Sequence, residues 1–171
     1  GRRVLVLTHT GREDAISAAL QATRMFAEEG LVSVMLEQDV AAIRAAAGDP
    51  PEFAPEALGV DCELEDITLG LVLGGDGSVL RAADFVRGHN VPLLAVNLGH
   101  VGFLAESERT DLHRTVQAIA SESYVVIERM ALDVVVLVEG REVARTWALN
   151  EASVEKSCLL YTSDAADDSL R

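Results

Sequence analysis

The stretch Leu69-Gly70-Leu71-Val72-Leu73-Gly74-Gly75-Asp76-Gly77-Ser78 decides how the chain is read. A solid apolar run stops on glycines and an aspartate. Val79, Leu80, Ala83 and Val86 then recur at helical spacing, and Gly88 supplies a stop. This is the signature of a buried strand, a tight turn and an amphipathic helix. A strand with no polar alternation is covered on both faces, as in a parallel sheet.

The same unit repeats on either side. Val4–Leu7 is an apolar run closed by Thr8-His9-Thr10-Gly11. Ile16, Ala19, Leu20, Thr23, Phe26 and Ala27 follow at helical spacing up to Gly30. Leu31–Leu36 reads as a second strand, and Asp39 as the cap of a short alanine-rich helix ending near Gly48. Asp49-Pro50-Pro51 through Pro55 reads as a loop. Leu93–Val96 is a further strand. Leu112, Val116, Ile119 and Ala120 mark a last helix, capped by Ser107 or Thr110. Strands alternating with helices predict a Rossmann-like α/β fold, a parallel sheet with helices on both faces, over residues 1–120. The pattern then changes. Tyr124–Ile127, Leu132–Val138 and Glu142–Leu149 read as strands with no helix between them, and Glu139-Gly140 as a hairpin tip. A β-rich domain is expected to begin at 121 and to be cut short near 157.

Composition fits one domain and a fraction. The 171 residues are 49% hydrophobic and 25% charged, which excludes wholesale disorder. Aromatics are only 4%, so the core must be aliphatic and alanine-rich. Acids outnumber bases 28 to 14, and the formal charge is −14. With no basic stripe, nucleic-acid binding is discounted. No apolar run approaches the roughly 18–20 residues that span a bilayer, and the opening residues are too short for a signal peptide. Cys62 and Cys158 have neither metal spacing nor a disulfide framework, and His9, His89, His100 and His113 have no zinc-like spacing. No metal ligands and a reducing, cytoplasmic setting are expected.

The glycine loop carries the chemistry. Gly74, Gly75 and Gly77 at a strand's carboxyl end let backbone N–H groups approach a phosphate, and the following helix adds its positive end. Asp76 is out of place in an anion site unless it takes a proton from a hydroxyl or holds Mg²⁺ through water. A plain glycine turn with Asp76 as a capping residue is the bland alternative. No Gly-Lys-Ser/Thr follows, so the loop is not a P-loop. Leu80 replaces the third glycine of a dinucleotide fingerprint. Arg81, one turn beyond Asp76, is either a phosphate clamp or the ion-pair partner of Asp84. Arg12 could reach a phosphate or stand solvated. In Gly99-His100-Val101-Gly102-Phe103-Leu104, Phe103 could stack on a base or fill the core. Asn150-Glu151 could read a base edge and a ribose hydroxyl, or be an ordinary surface pair.

Taken together, these segments resemble the NAD kinase family, in its bacterial and particularly actinobacterial form. Its Gly-Gly-Asp-Gly-Thr loop, Gly-x-x-Gly-Phe-Leu segment and Asn-Glu pair occur in order as Gly74–Ser78, Gly99–Leu104 and Asn150–Glu151. Leu80-Arg81-Ala82-Ala83, Val96-Asn97-Leu98-Gly99 and His9-Thr10-Gly11-Arg12 are similar as well. The resemblance covers roughly residues 3–157. Ser78 replaces the usual threonine but keeps its hydroxyl. The family's later Asp-Gly element and Thr-Pro-Thr-Gly-Ser-Thr-like stretch are absent from this chain.

The resemblance implies transfer of the γ-phosphoryl of ATP to the 2′-hydroxyl of the adenosine ribose of NAD, giving NADP, with Mg²⁺ accompanying ATP. It implies Asp76 as the base or orienting carboxylate for that hydroxyl, a phosphate cradle at Gly74, Gly75 and Gly77 with Ser78 among the binding residues, Asn150 on adenine and Glu151 on a ribose. It leaves open ATP or polyphosphate as donor and implies a homo-oligomer at full length. Missing the later strands, the 171-residue chain alone is expected to be inactive or nearly so, and the full-length product active. Diacylglycerol kinases and phosphofructokinases share a similar loop and form the first rival reading. A non-catalytic nucleotide-binding fragment is the second. Residues 158–171 break the pattern; they are either an ordinary acidic helical tail or, as they resemble, a translated sequencing-library adapter, in which case the native sequence is expected to stop near Ser157 and the true protein to be longer.

Overall fold

The computed structural model describes residues 1–9, 13–47, 53–97 and 106–152. They fall into two compact units, the first spanning Gly1–Val126 and the second beginning at Ile127. In the first, strands and helices alternate as β1 (Arg3–Leu7), α1 (Glu13–Glu28), β2 (Val32–Leu36), α2 (Glu37–Ala47), β3 (Glu56–Leu58), β4 (Ile67–Leu73), α3 (Asp76–Phe85), β5 (Leu93–Val96) and α4 (Glu106–Ala120). A single 3₁₀ turn at Leu64–Asp66 precedes β4.

The five strands form one parallel sheet in the order β3-β2-β1-β4-β5. From β1 the chain builds outward in one direction through β2 and β3, then crosses to β4 on the other side. The switch point therefore lies between β1 and β4, where open α/β sheets bind ligands beyond their carboxyl ends.

Burial on both faces explains the unbroken apolar runs. Val4 and Val6 join the cluster formed with α1, α2 and α4, including Phe26, Ile43, Leu112 and Val116. Leu5 points the other way, into a smaller cluster with Val34, Ile67, Val86 and Val91. Helix α1 presents Ala15, Ala18, Ala19 and Ala22 to the sheet, so an aliphatic core with few aromatics closes through short side chains. Gly30 stops α1 with φ +72°. There Leu31 N–H donates to Phe26 O at 2.8 Å and Gly30 N–H to Ala27 O at 3.1 Å, the paired bonds of a left-handed helix cap.

Several boundaries differ from the sequence expectation. Helix α2 starts directly after β2, so Asp39 is buried in its first turn and does not cap it. Helix α4 starts at Glu106, which places Ser107 and Thr110 inside the helix. Residues 124–127 are not a strand; Tyr124 packs on the core while Val125 is 86% exposed. The short β3 was not expected. It pairs with β2, and Arg3 of β1 reaches across to it, its Nε donating to Glu56 Oε2 at 2.6 Å.

The second unit is an antiparallel hairpin of β6 (Ala131–Val138) and β7 (Arg141–Leu149). Its tip is the expected Glu139-Gly140, with φ 49° and 75°. Positive φ at both positions matches the turn to the right-handed strand twist. Among the described residues, no helix is long and apolar enough to cross a membrane.

Candidate active site at the glycine loop

The site grows from the carboxyl end of β4. Gly74 leaves the strand with φ +156°, and its N–H donates to Val96 O at 3.0 Å, tying the loop to the end of β5. Gly75 occupies the N-cap of α3, and its carbonyl accepts from Ser78 N–H at 2.9 Å and Val79 N–H at 3.2 Å. The N–H groups of Asp76 and Gly77 precede these bonds, so they have no intrahelical acceptor. They form the positive end of the helix.

The three glycines serve different ends. A Cβ on Gly74 would lie 2.5 Å from Ser78 Oγ and 2.8 Å from Ser78 Cβ, so glycine here lets the serine fold over the loop. A Cβ on Gly75 would meet only Asn97 Oδ1 at 3.8 Å, and one on Gly77 would meet nothing within 4 Å among the described residues. Neither the backbone nor packing within the described chain requires glycine at 77. What its absent side chain leaves is bare main chain facing open space.

Asp76 is the first residue of α3 and is exposed. Its carboxylate is favoured there by the helix dipole. The Arg81 guanidinium donates to Ser78 Oγ at 3.3 Å, one helical turn further on. It is not the partner of Asp84, which pairs with Arg87 at 3.4 Å. Gly74, Gly75, Asp76, Gly77, Ser78 and Arg81 are thus brought together on the loop and the first turns of α3. Arg12 and Phe103 lie outside the described residues. Asn150 and Glu151 follow β7 in the second unit, both exposed. Asn150 takes φ 66°, and its N–H donates to Met130 O at 2.8 Å.

Beside the loop, a cleft of about 350 Å³ opens over the ends of β1, β2 and β4 and against α3. Ser78 and Arg81 form one end of its wall; Gln38 and Asp39, from the first turn of α2, also line it. Nothing in the local sequence pattern marks Gln38 or Phe85, and at Asp39 the pattern signals only a helix cap. Only the β2-β1-β4 adjacency brings them to the loop. Among the described residues no group of three or more His, Cys, Asp or Glu side chains could hold a metal ion.

Elsewhere, burial and the neighbouring Glu56 carboxylate push the Cys62 thiol upward, partly offset by Arg3. Glu56 in turn raises the Arg3 guanidinium through its hydrogen bond and charge.

The strand order and the loop at the switch point place the first unit among the doubly wound, Rossmann-like α/β domains. The family described as the ATP-NAD kinase N-terminal domain matches residues 4–124. A NAD kinase of Leifsonia xyli subsp. xyli is 47% identical over 157 residues, 91% of this chain and 51% of that protein. The NAD kinase of Thermobifida fusca is 45% identical, over 91% of this chain and 48% of its own length. That of Mycobacterium tuberculosis is 39% identical, over 91% and 52%. The chain belongs to the ATP-NAD kinase family. It spans about half the length of these relatives.

Proposed function

We propose that the protein carrying this chain phosphorylates NAD at the 2′-hydroxyl of its adenosine ribose, using ATP and forming NADP. The observation that carries the reading is the exposed carboxylate of Asp76 between Gly75 and Gly77, whose main chain stands bare at the start of α3. A glycine inside a helix costs about 1 kcal/mol relative to alanine, so its use at 77 calls for a ligand that needs the space.

In this mechanism the ribose oxygen forms a bond to the γ-phosphorus while the bond to the β–γ bridging oxygen breaks and ADP leaves. Asp76 accepts the hydroxyl proton. The N–H groups at the start of α3, with Ser78 and Arg81, neutralise phosphate charge. Arg12 extends that role, Phe103 stacks on a base, Asn150 contacts adenine and Glu151 a ribose. Phosphoryl transfer rests on positioning and charge neutralisation, which backbone amides and one carboxylate suffice to supply. Mg²⁺ with ATP fits this donor set: a lone carboxylate and a hydroxyl suit an ion held mainly by substrate phosphates. Its chemistry would be charge neutralisation on those phosphates, with Asp76 as the protein group nearest in kind. A cytoplasmic setting, consistent with the free buried thiol of Cys62, and a homo-oligomer at full length belong to the same proposal.

Purified full-length protein given NAD and ATP with Mg²⁺ should yield NADP, read by an NADP-specific dehydrogenase. Phosphorylation of diacylglycerol or fructose 6-phosphate with no NADP would replace this reading with the rival kinase classes.

A further inference from the structure

We propose that Asn97 holds the 3′-hydroxyl of the acceptor ribose and so presents the neighbouring 2′-hydroxyl to Asp76. The inference rests on the kinase reading above and adds a specificity-determining residue on its acceptor side.

Transfer to one hydroxyl of a ribose poses a problem of choice. The 2′- and 3′-hydroxyls are adjacent on the ring and similar in acidity. Asp76 is exposed, and no hydrogen bond fixes its carboxylate among the described residues. A single unrestrained carboxylate can take a proton from either hydroxyl. A second polar group that holds the other hydroxyl, without accepting its proton, settles the choice by positioning.

Asn97 is placed to be that group. Strands β4 and β5 pair in parallel register up to Leu73 and Val96, so Asn97 follows one step beyond, level with Gly74. Gly74 N–H donates to Val96 O at 3.0 Å, which ties the loop to that register. Asn97 Oδ1 lies 3.8 Å from where a Cβ on Gly75 would stand, one residue from Asp76. The Asn97 side chain is exposed and makes no hydrogen bond among the described residues. Gly75 has an ordinary extended backbone, with φ −85° and ψ −168°, so its missing side chain serves to keep the gap between loop and amide clear.

The chemistry fits the position. A side-chain amide both donates and accepts, so it can hold a hydroxyl in either sense, yet it takes no proton. Ser78 and Arg81, which neutralise phosphate, lie on the other flank of the loop and line the cleft there with Thr8 and His9. Asn97 belongs to the β5 flank and does not line that cleft. Phosphate and acceptor sugar are thus served from two flanks of the loop that carries Asp76.

The test is a cycle of four affinities in full-length protein. Wild type and Asn97→Ala are each titrated calorimetrically with NAD and with its analogue lacking the adenosine 3′-hydroxyl. Loss of the hydrogen bond should weaken NAD binding by the variant about 3–10-fold. The variant should bind the 3′-deoxy analogue as wild type does, because the partner group is already gone. In turnover assays kcat/KM for NAD should fall while the KM for ATP stays within about twofold. Asn97 is exposed, so truncating it leaves the fold intact. An equal loss of affinity for NAD and for the analogue overturns the inference, since a merely structural role would weaken both. So does an unchanged affinity for NAD, or a loss confined to ATP. Wild-type protein that forms no NADP overturns the kinase reading itself, before any variant is made.

Discussion

Gly74 and Gly77 sit three positions apart and answer to opposite constraints. Gly74 combines φ +156° with a Cβ position blocked by Ser78. Gly74→Ala should therefore destabilise the fold by about 1–3 kcal/mol, measured by chemical denaturation. Gly77 has open space and lies in a helix, so Gly77→Ala should leave stability unchanged or raise it by up to ~1 kcal/mol. It should nevertheless weaken ATP binding, because the methyl group takes the place of phosphate. A Gly77→Ala protein that binds ATP as tightly as wild type would contradict the bare-backbone account. Cys62 offers a separate test. Cys62 is 7% exposed, and burial raises its folded-state pKa above the ordinary thiol value. The unfolded chain then loses this proton first as pH rises, so the thiol's contribution is complete below its unfolded pKa of about 8.5 and is lost as pH climbs from there through the folded value. Denaturation midpoints should fall over that range, and Cys62→Ala should flatten the decline.

Among the elements, those that bury both faces were legible and those fixed by contact were not. β1, β2 and β4 announce themselves as apolar runs buried on both faces, β5 is an apolar run although its Ala95 is exposed, and Gly30 and Gly140 mark ends that demand positive φ. β3 is three residues long behind a proline-rich stretch and exists through pairing with β2, which no local pattern encodes. Residues 124–127 carry β-branched side chains yet form no strand, because propensity without a pairing partner is insufficient. The loop at 74–78 could be read from glycine spacing alone. Gln38, Asp39 and Phe85 could not, since three distant segments meet only after the sheet forms. The β6–β7 hairpin makes its own prediction. Neighbouring Val135 and Val136 are both exposed, so apolar side chains face out on both sides, and Leu137 is 60% exposed. Such a ribbon invites pairing or burial against another surface. The 171-residue chain alone should show concentration-dependent association in sedimentation velocity, reduced by Leu137→Lys. A monomer at all concentrations would contradict this.

The molecule is organised so that a parallel sheet delivers one loop to its switch point, and the loop delivers one carboxylate. Everything proposed about catalysis depends on Asp76. The relatives are about twice as long as this chain, so the decisive comparison belongs in full-length protein. Asp76→Asn keeps the size of the side chain and removes its basicity. Steady-state formation of NADP from NAD and ATP is the measurement. The account predicts a fall in kcat of about 10²–10⁴-fold, the usual worth of a positioned base, with ATP affinity changed by only a few-fold. NADP formation by the asparagine variant at close to the wild-type rate would contradict it.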